Sequence, residues 1–180
     1  MPNLRSLVAA SIALAVTVSF VGDADARRRA RRAKKFESNK TFGLGIMVGA
    51  PTAISGKYFY ASDKAFDFGV GVVRRWRHRD GLHLHADHLW HPVSLASNPS
   101  FELPLYIGVG FRLFNYDRYD GPYDDATAIG VRVPIGIAFD LNNIPLDIFF
   151  EIALVADILL DDGDDYDGDL HGAIGARFYF

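Results

Sequence analysis

From Thr41 to the C-terminus, apolar residues recur at every second position. Phe42, Leu44, Ile46 and Val48 alternate with Gly43, Gly45, Met47 and Gly49, and Phe66, Phe68, Val70 and Val72 with Asp67, Gly69, Gly71 and Val73. The same alternation runs through Leu103–Leu113, Ile129–Phe139, Ile148–Ile158 and Leu170–Phe180. A period of two is the signature of a β-strand, whose successive side chains point to opposite faces. Two weaker segments, about 52–60 and 82–91, bring the count to eight.

The two faces of these segments differ in an unusual way. One face is uniformly Leu, Ile, Val and Phe. The other is mostly Gly and Ala, interrupted by Lys57, Asp67, Asp87, Glu102, Arg112, Arg132, Glu151, Asp157 and Arg177. A sheet with one face in water would carry closely spaced polar residues there. Small residues with isolated charges suit instead a narrow interior, filled without crowding, and an apolar face then points outward to lipid. Nine charges in such an interior must pair with one another, because an unpartnered buried charge costs several kcal/mol.

The connections agree with that inversion. Those after segments 2, 4 and 6 (Ala61–Lys64, roughly His91–Ser100, and Asp140–Pro145) read as turns. Those after segments 3, 5 and 7 (Arg74–Gly81, Asn115–Ala126, Leu160–Asp169) are longer or heavily charged. The apolar face also places one aromatic per segment toward the turn side: Phe42, Tyr60, Phe66, Trp90, Phe101, Phe139, Phe150 and Phe180. Eight such rings would form an aromatic girdle at a membrane boundary. A segment of about ten residues, tilted near 45°, crosses about 23 Å, close to the apolar band of a small barrel. The expected fold is therefore all-β, an eight-stranded antiparallel up-and-down transmembrane barrel. Pro104 and Pro134 conflict locally with it, since a closed barrel has no free edge to hide a missing N–H. A bulge or local break between strands 5 and 6 is expected there.

This pattern resembles the small eight-stranded outer-membrane barrels of the OmpA/OmpX type. The resemblance covers residues 41–180 and rests on strand count, alternating connections and the ending Gly175-Ala-Arg-Phe-Tyr-Phe180. It implies that Phe180 is the signal read by the barrel-insertion machinery and that outer-membrane lipid surrounds a monomer. The chain departs from the family in its first outer connection, Ala50-Pro51-Thr52, which is very short.

The N-terminus fits export. Arg5 precedes a 15-residue apolar run, Leu7–Val21, punctuated by Ser and Thr, and Ala24-Asp25-Ala26 matches a small-x-small cleavage site. Residues 1–26 thus read as a cleaved signal peptide. An uncleaved anchor is the alternative, because the positive charges of Arg27–Lys35 would favour the cytoplasmic side. Residues 27–40 hold eight bases and one acid and are expected to be a disordered periplasmic stub. Residues 41–180 hold ten bases and nineteen acids. A basic folded face is missing, which sets nucleic-acid binding aside. The chain has no cysteine, so thiol catalysis and disulfide scaffolds drop out. The expected location is the outer membrane of a Gram-negative-type bacterium.

Candidate chemistry is sparse. His83, His85 and Asp87 share the inward face of segment 4 and are weak candidates for metal ligands, with His171 the one evident addition. Asp161–Asp169 is acidic but lacks the register of a calcium loop. Arg74–Arg79, with Trp76 among its arginines, suits phosphate contacts or pairing with acidic loops. After residue 41 the serines are Ser55, Ser62, Ser94, Ser97 and Ser100, and only Ser55 lies away from the turns. No catalytic residue and no cofactor are assigned. The expected role is structural or surface-interacting, with an extracellular ligand reached through the outer loops. A lipid-modifying barrel enzyme and a narrow pore are the alternatives. Phe180→Ala should reduce assembly into the outer membrane while leaving export intact, measured by fractionation; equal membrane yields would refute the terminal signal.

Overall fold

The computed structural model describes residues 34–73, 81–117, 125–159 and 166–180. Eight strands follow in chain order: β1 (Phe42–Gly49), β2 (Thr52–Ala61), β3 (Lys64–Val73), β4 (Gly81–Ser97), β5 (Phe101–Asp117), β6 (Asp125–Leu141), β7 (Leu146–Leu159) and β8 (Tyr166–Tyr179). Each pairs antiparallel with its successor, and β8 returns to β1 from Gly43↔Tyr179 to Gly49↔Ala173. The sheet is closed, so no strand presents an unpaired edge. The signal-peptide segment, residues 27–33 and most of the charged outer connections (74–80, 118–124 and 160–165) lie outside the described residues.

All eight expected segments are strands, but several run further than their apolar alternation. β5 continues to Asp117 and β6 begins at Asp125, inside the connection expected at Asn115–Ala126. β8 begins at Tyr166, so the acidic connection is shorter than Leu160–Asp169. The connection expected at His91–Ser100 is mostly strand. β4 runs to Ser97, and the turn is confined to Asn98–Ser100, where Asn98 Oδ1 accepts hydrogen bonds from Ser100 N (2.8 Å) and Phe101 N (2.9 Å). A short polar side chain that closes such a ring mimics a backbone turn. At the first hairpin, Gly49 has φ near 140°, a conformation that costs glycine little. Thr52 Oγ1 donates to Gly49 O at 3.2 Å and closes that hairpin.

The prolines do break the ladder. Between β5 and β6 the register holds, from Glu102↔Asp140 to Asp117↔Asp125, but pairing lapses at 103–104 and 108–109 on β5. Those positions face Ala138 and Phe139, and Val133 and Pro134, on β6. Pro104 instead pairs with Ser94 of β4, and Pro134 with Ala153 of β7. Both rings therefore turn their donorless nitrogen side to one seam. Register shifts instead on the neighbouring seam, β4–β5, between Trp90 and Val93 and between Ser94 and Ser97, and on β2–β3 between Phe59 and Ala61.

Polarity is inverted relative to a soluble protein. Thirty-three large apolar side chains are exposed among the described residues, including Ile46, Ile54, Phe111, Leu154 and Leu170. A water-soluble monomer rarely shows more than a few hundred Å² of contiguous apolar surface. The aromatic residues Phe42, Tyr60, Phe66, Trp90, Phe101, Phe139, Phe150 and Phe180 all point outward. Neighbouring rings stack across strands, Tyr60 on Phe66 (5.1 Å) and Phe101 on Phe139 (4.5 Å).

Residues 34–40 correct the expectation of a disordered stub. Phe36 is 1 % exposed and packs on Phe59 and His91, at centroid distances of 6.0 and 5.3 Å. One aromatic ring in a polar stretch leaves no periodicity to read, yet burying it on folding removes enough apolar surface to contribute about 2–3 kcal/mol.

Leu154 points outward near the middle of β7, whereas Glu151 points inward and is 3 % exposed. Leu154→Arg should destabilise the bilayer-inserted barrel by about 2–4 kcal/mol, the cost of a base at the midplane. Cysteines placed at Leu154 and Ile152 should be quenched by lipid-borne quenchers, and one at Glu151 should not. Quenching at Glu151 would reverse the faces.

Candidate functional site

The inward face carries the only dense chemistry among the described residues. Three bridges cross it with one geometry. Arg132 of β6 donates from Nε to Asp87 Oδ2 of β4 at 2.7 Å. Arg112 of β5 donates from Nε to Asp157 Oδ1 of β7 at 2.8 Å, and its Nη2 pairs with Oδ2 of the same carboxylate. Tyr106 of β5 donates to Glu151 Oε2 of β7 at 3.1 Å. Each bridge skips one strand, and a glycine stands in register at the crossing: Gly110 between Asp87 and Arg132, Gly130 between Arg112 and Asp157, Gly136 between Tyr106 and Glu151. A Cβ on any of these glycines would collide with the bridging side chains. The small residues that alternate with the charges are thus the troughs in which the bridges lie.

The bridges join into a network. Arg132 also pairs through Nη2 with Glu151, which holds the Tyr106 hydroxyl. Arg177 of β8 crosses Gly45 of β1 to donate from Nε to Ser55 Oγ of β2 at 2.9 Å, and its Nη2 pairs with Asp67 of β3. The Arg177 guanidinium lies 3.8 Å from the Phe149 ring centroid. Tyr179 donates to Asp147 Oδ2 at 2.6 Å. A bidentate guanidinium fixes the carboxylate geometry in a way an ammonium cannot, which explains why three of the four lumenal cations are arginine.

All nine charges expected on the inner face lie there, from Lys57 at 1 % exposed to Glu102 at 8 %. Two differ from simple mutual pairing. The Lys57 ammonium sits against the rings of Phe59 (4.8 Å) and Tyr106 (4.9 Å), a cation–π arrangement, with no carboxylate oxygen within 4.0 Å among the described residues. Glu102 pairs with no lumenal arginine; its carboxylate meets Lys34 Nζ at 3.6 Å. The network also recruits groups that a search for charge alternation passed over: Asp147, one residue ahead of the apolar run in β7, and the neutral Tyr106, Tyr179 and Ser55. All share the inward parity, which was the signal available for them.

His83, His85 and His171 are lumenal neighbours, with ring centroids 5.2 Å (His83–His85) and 5.7 Å (His83–His171) apart, whereas His88 points outward against Tyr60 and Trp90. His83 Nε2 lies 3.1 Å from His85 Nδ1, and Asp87 is committed to Arg132. His171 Nε2 is within 3.0 Å of both Arg112 Nη1 and Asp169 Oδ2. Among the described residues no three His, Asp or Glu side chains gather as a metal centre. Ser55 Oγ accepts from Arg177 Nε at 2.9 Å, and His85 lies across Gly69 from it. Arg74–Arg79 and Asp161–Asp165 fall outside the described residues.

An inverted, closed, eight-stranded barrel with a charged interior is the architecture of a small outer-membrane-type barrel. Among solved structures, the N-terminal β-barrel domain of Pseudomonas aeruginosa OprF is similar, with a TM-score of 0.54 over 77 % of this chain and 95 % of that one. Sequence identity is 15 %, so the likeness is one of fold. No family of known proteins and no curated protein matches the sequence.

Two substitutions test the network. Glu151→Gln leaves Arg132 with Asp87 alone; removing one member of a buried pair costs about 3–5 kcal/mol, and the amide should cost part of that in urea unfolding. Gly110→Leu, on the trough beneath Asp87 and Arg132, should cost about 1–3 kcal/mol from overpacking. Wild-type stability in both would show that the bridges contribute nothing.

Proposed function

We propose that this chain is an integral outer-membrane barrel with a structural or surface-interaction role, its lumen closed to ions by its own side chains. The observation that carries this reading is the combination of an apolar exterior with cross-lumen bridges. Eight strands leave an interior just wide enough for side chains, and here Arg112, Arg132 and Arg177 span it at successive levels. Lipid surrounds the outward Leu, Ile, Val and Phe, and Phe180, 78 % exposed at the end of the chain, is offered to the insertion machinery. An extracellular ligand would be met by the outer loops, and the barrel works as a monomer. The hydrogen bond from Arg177 Nε to Ser55 Oγ supports a structural role for that serine over one in a lipid-modifying enzyme.

Fractionation with heat-modifiability on an unboiled gel tests the first part. The protein should partition with outer membranes and shift in mobility on boiling; a soluble protein without a shift would overturn the barrel reading. Planar-bilayer recording tests the second. The purified barrel should give no steady conductance, and reproducible single-channel steps would replace the closed lumen by a narrow pore.

A further inference from the structure

We propose that residues 34–40 are a separable stopper in the mouth formed by the inter-strand turns, with Phe36 as its plug and Lys40 as its latch. The segment is held at three places around the rim. Ser94 N of β4 donates to Lys34 O at 2.9 Å, and Ser38 N donates to Ser62 O, in the β2–β3 turn, at 2.8 Å. Lys40 Nζ pairs with the Asp140 carboxylate and donates to Leu141 O (3.0 Å) and Leu146 O (3.3 Å) at the β6–β7 turn. These anchors lie on β4, in the β2–β3 turn and at the β6–β7 end, so the segment crosses the opening rather than following one strand.

What lies beneath explains why an opening there would need closing. Phe36 is buried with Phe59, Tyr106, Ala138, Phe149 and Tyr179 in one apolar cluster inside the mouth. Lys57 shares this chamber, its ammonium against the Phe59 and Tyr106 rings. The cross-lumen bridges are made by other side chains: among the described residues, none of Arg112, Arg132 and Arg177 donates to or forms an ion pair with residues 34–40. The barrel ladder likewise closes through β1 and β8 without them. The lumen therefore has two independent closures, a charged one along its length and an apolar one at the turn end. Displacing the second would wet the Lys57 chamber while the first stays shut.

Because the chain has no cysteine, one introduced thiol reports this directly. Ala138→Cys places it inward beneath the stopper, at a position 2 % exposed. Its reaction with a charged, water-soluble methanethiosulfonate would be timed on the full-length barrel in detergent, with heat-modifiability scored for every variant. The thiol should be protected in the otherwise wild-type chain. Phe36→Gly should speed its reaction at least tenfold and Lys40→Met by a smaller factor, while Phe36→Leu, which keeps an apolar plug, should stay protected. Folded Phe36→Gly and Lys40→Met barrels that react at the parent rate would overturn the stopper. Failure of Phe36→Gly to give a heat-modifiable barrel would overturn it equally, since the segment would then be part of the folding core.

Discussion

The interior of an eight-stranded barrel is the constraint on which the rest of this molecule depends. It is too narrow to hold bulk water and too polar in sequence to be left dry and unpartnered. Every lumenal charge must find a partner within reach, an opposite charge or, for Lys57, a pair of aromatic rings, and every large side chain must find a neighbour small enough to lie over. The chain meets both demands at once by placing glycine on the strand between two bridging partners. Asp87, Gly110 and Arg132 stand in one row across three strands, and Arg112, Gly130 and Asp157 in another. Steric space and charge neutrality are thus encoded by the same rows.

That arrangement also explains the division of labour between faces. The exterior needs only to be apolar, so it is built from Leu, Ile, Val and Phe, with the ring pairs Tyr60–Phe66 and Phe101–Phe139 stacked on it. The interior tolerates no such interchange, because moving Arg132 by one position would flip it to the outside. Specificity in this fold resides in the minority of inward positions, while the apolar surface resides in the majority outside.

Parity made much of this legible in the sequence. Alternation alone located eight strands, sorted Lys57, Asp67, Asp87, Glu102, Arg112, Arg132, Glu151, Asp157 and Arg177 to the inside, and placed eight turn-side aromatics on the outward face. It could not say which charges meet, because partners such as Asp87 and Arg132 lie on non-adjacent strands and are matched by register. It also stopped short where strands rise beyond the apolar band: Asn115–Asp117 and Tyr166–Asp169 continue the ladder with polar residues that look like loop. Phe36 was invisible for the opposite reason, a single buried ring with no periodic companions.

The seam between β5 and β6 carries a mechanical meaning. Pro104 and Pro134 deny it donors at the level of the turn-side half, so fewer main-chain bonds resist separation there than at the continuous β6–β7 ladder, which pairs without a gap from Ala128↔Leu159 to Leu141↔Leu146. Side chains bind across that line instead: Arg112 to Asp157, Arg132 to Asp87 and Tyr106 to Glu151 each join a residue on the β1–β5 side to one on the β6–β8 side. The line where main-chain bonds lapse is thus the line that the interior side chains rivet, so the two kinds of cohesion exchange along one seam.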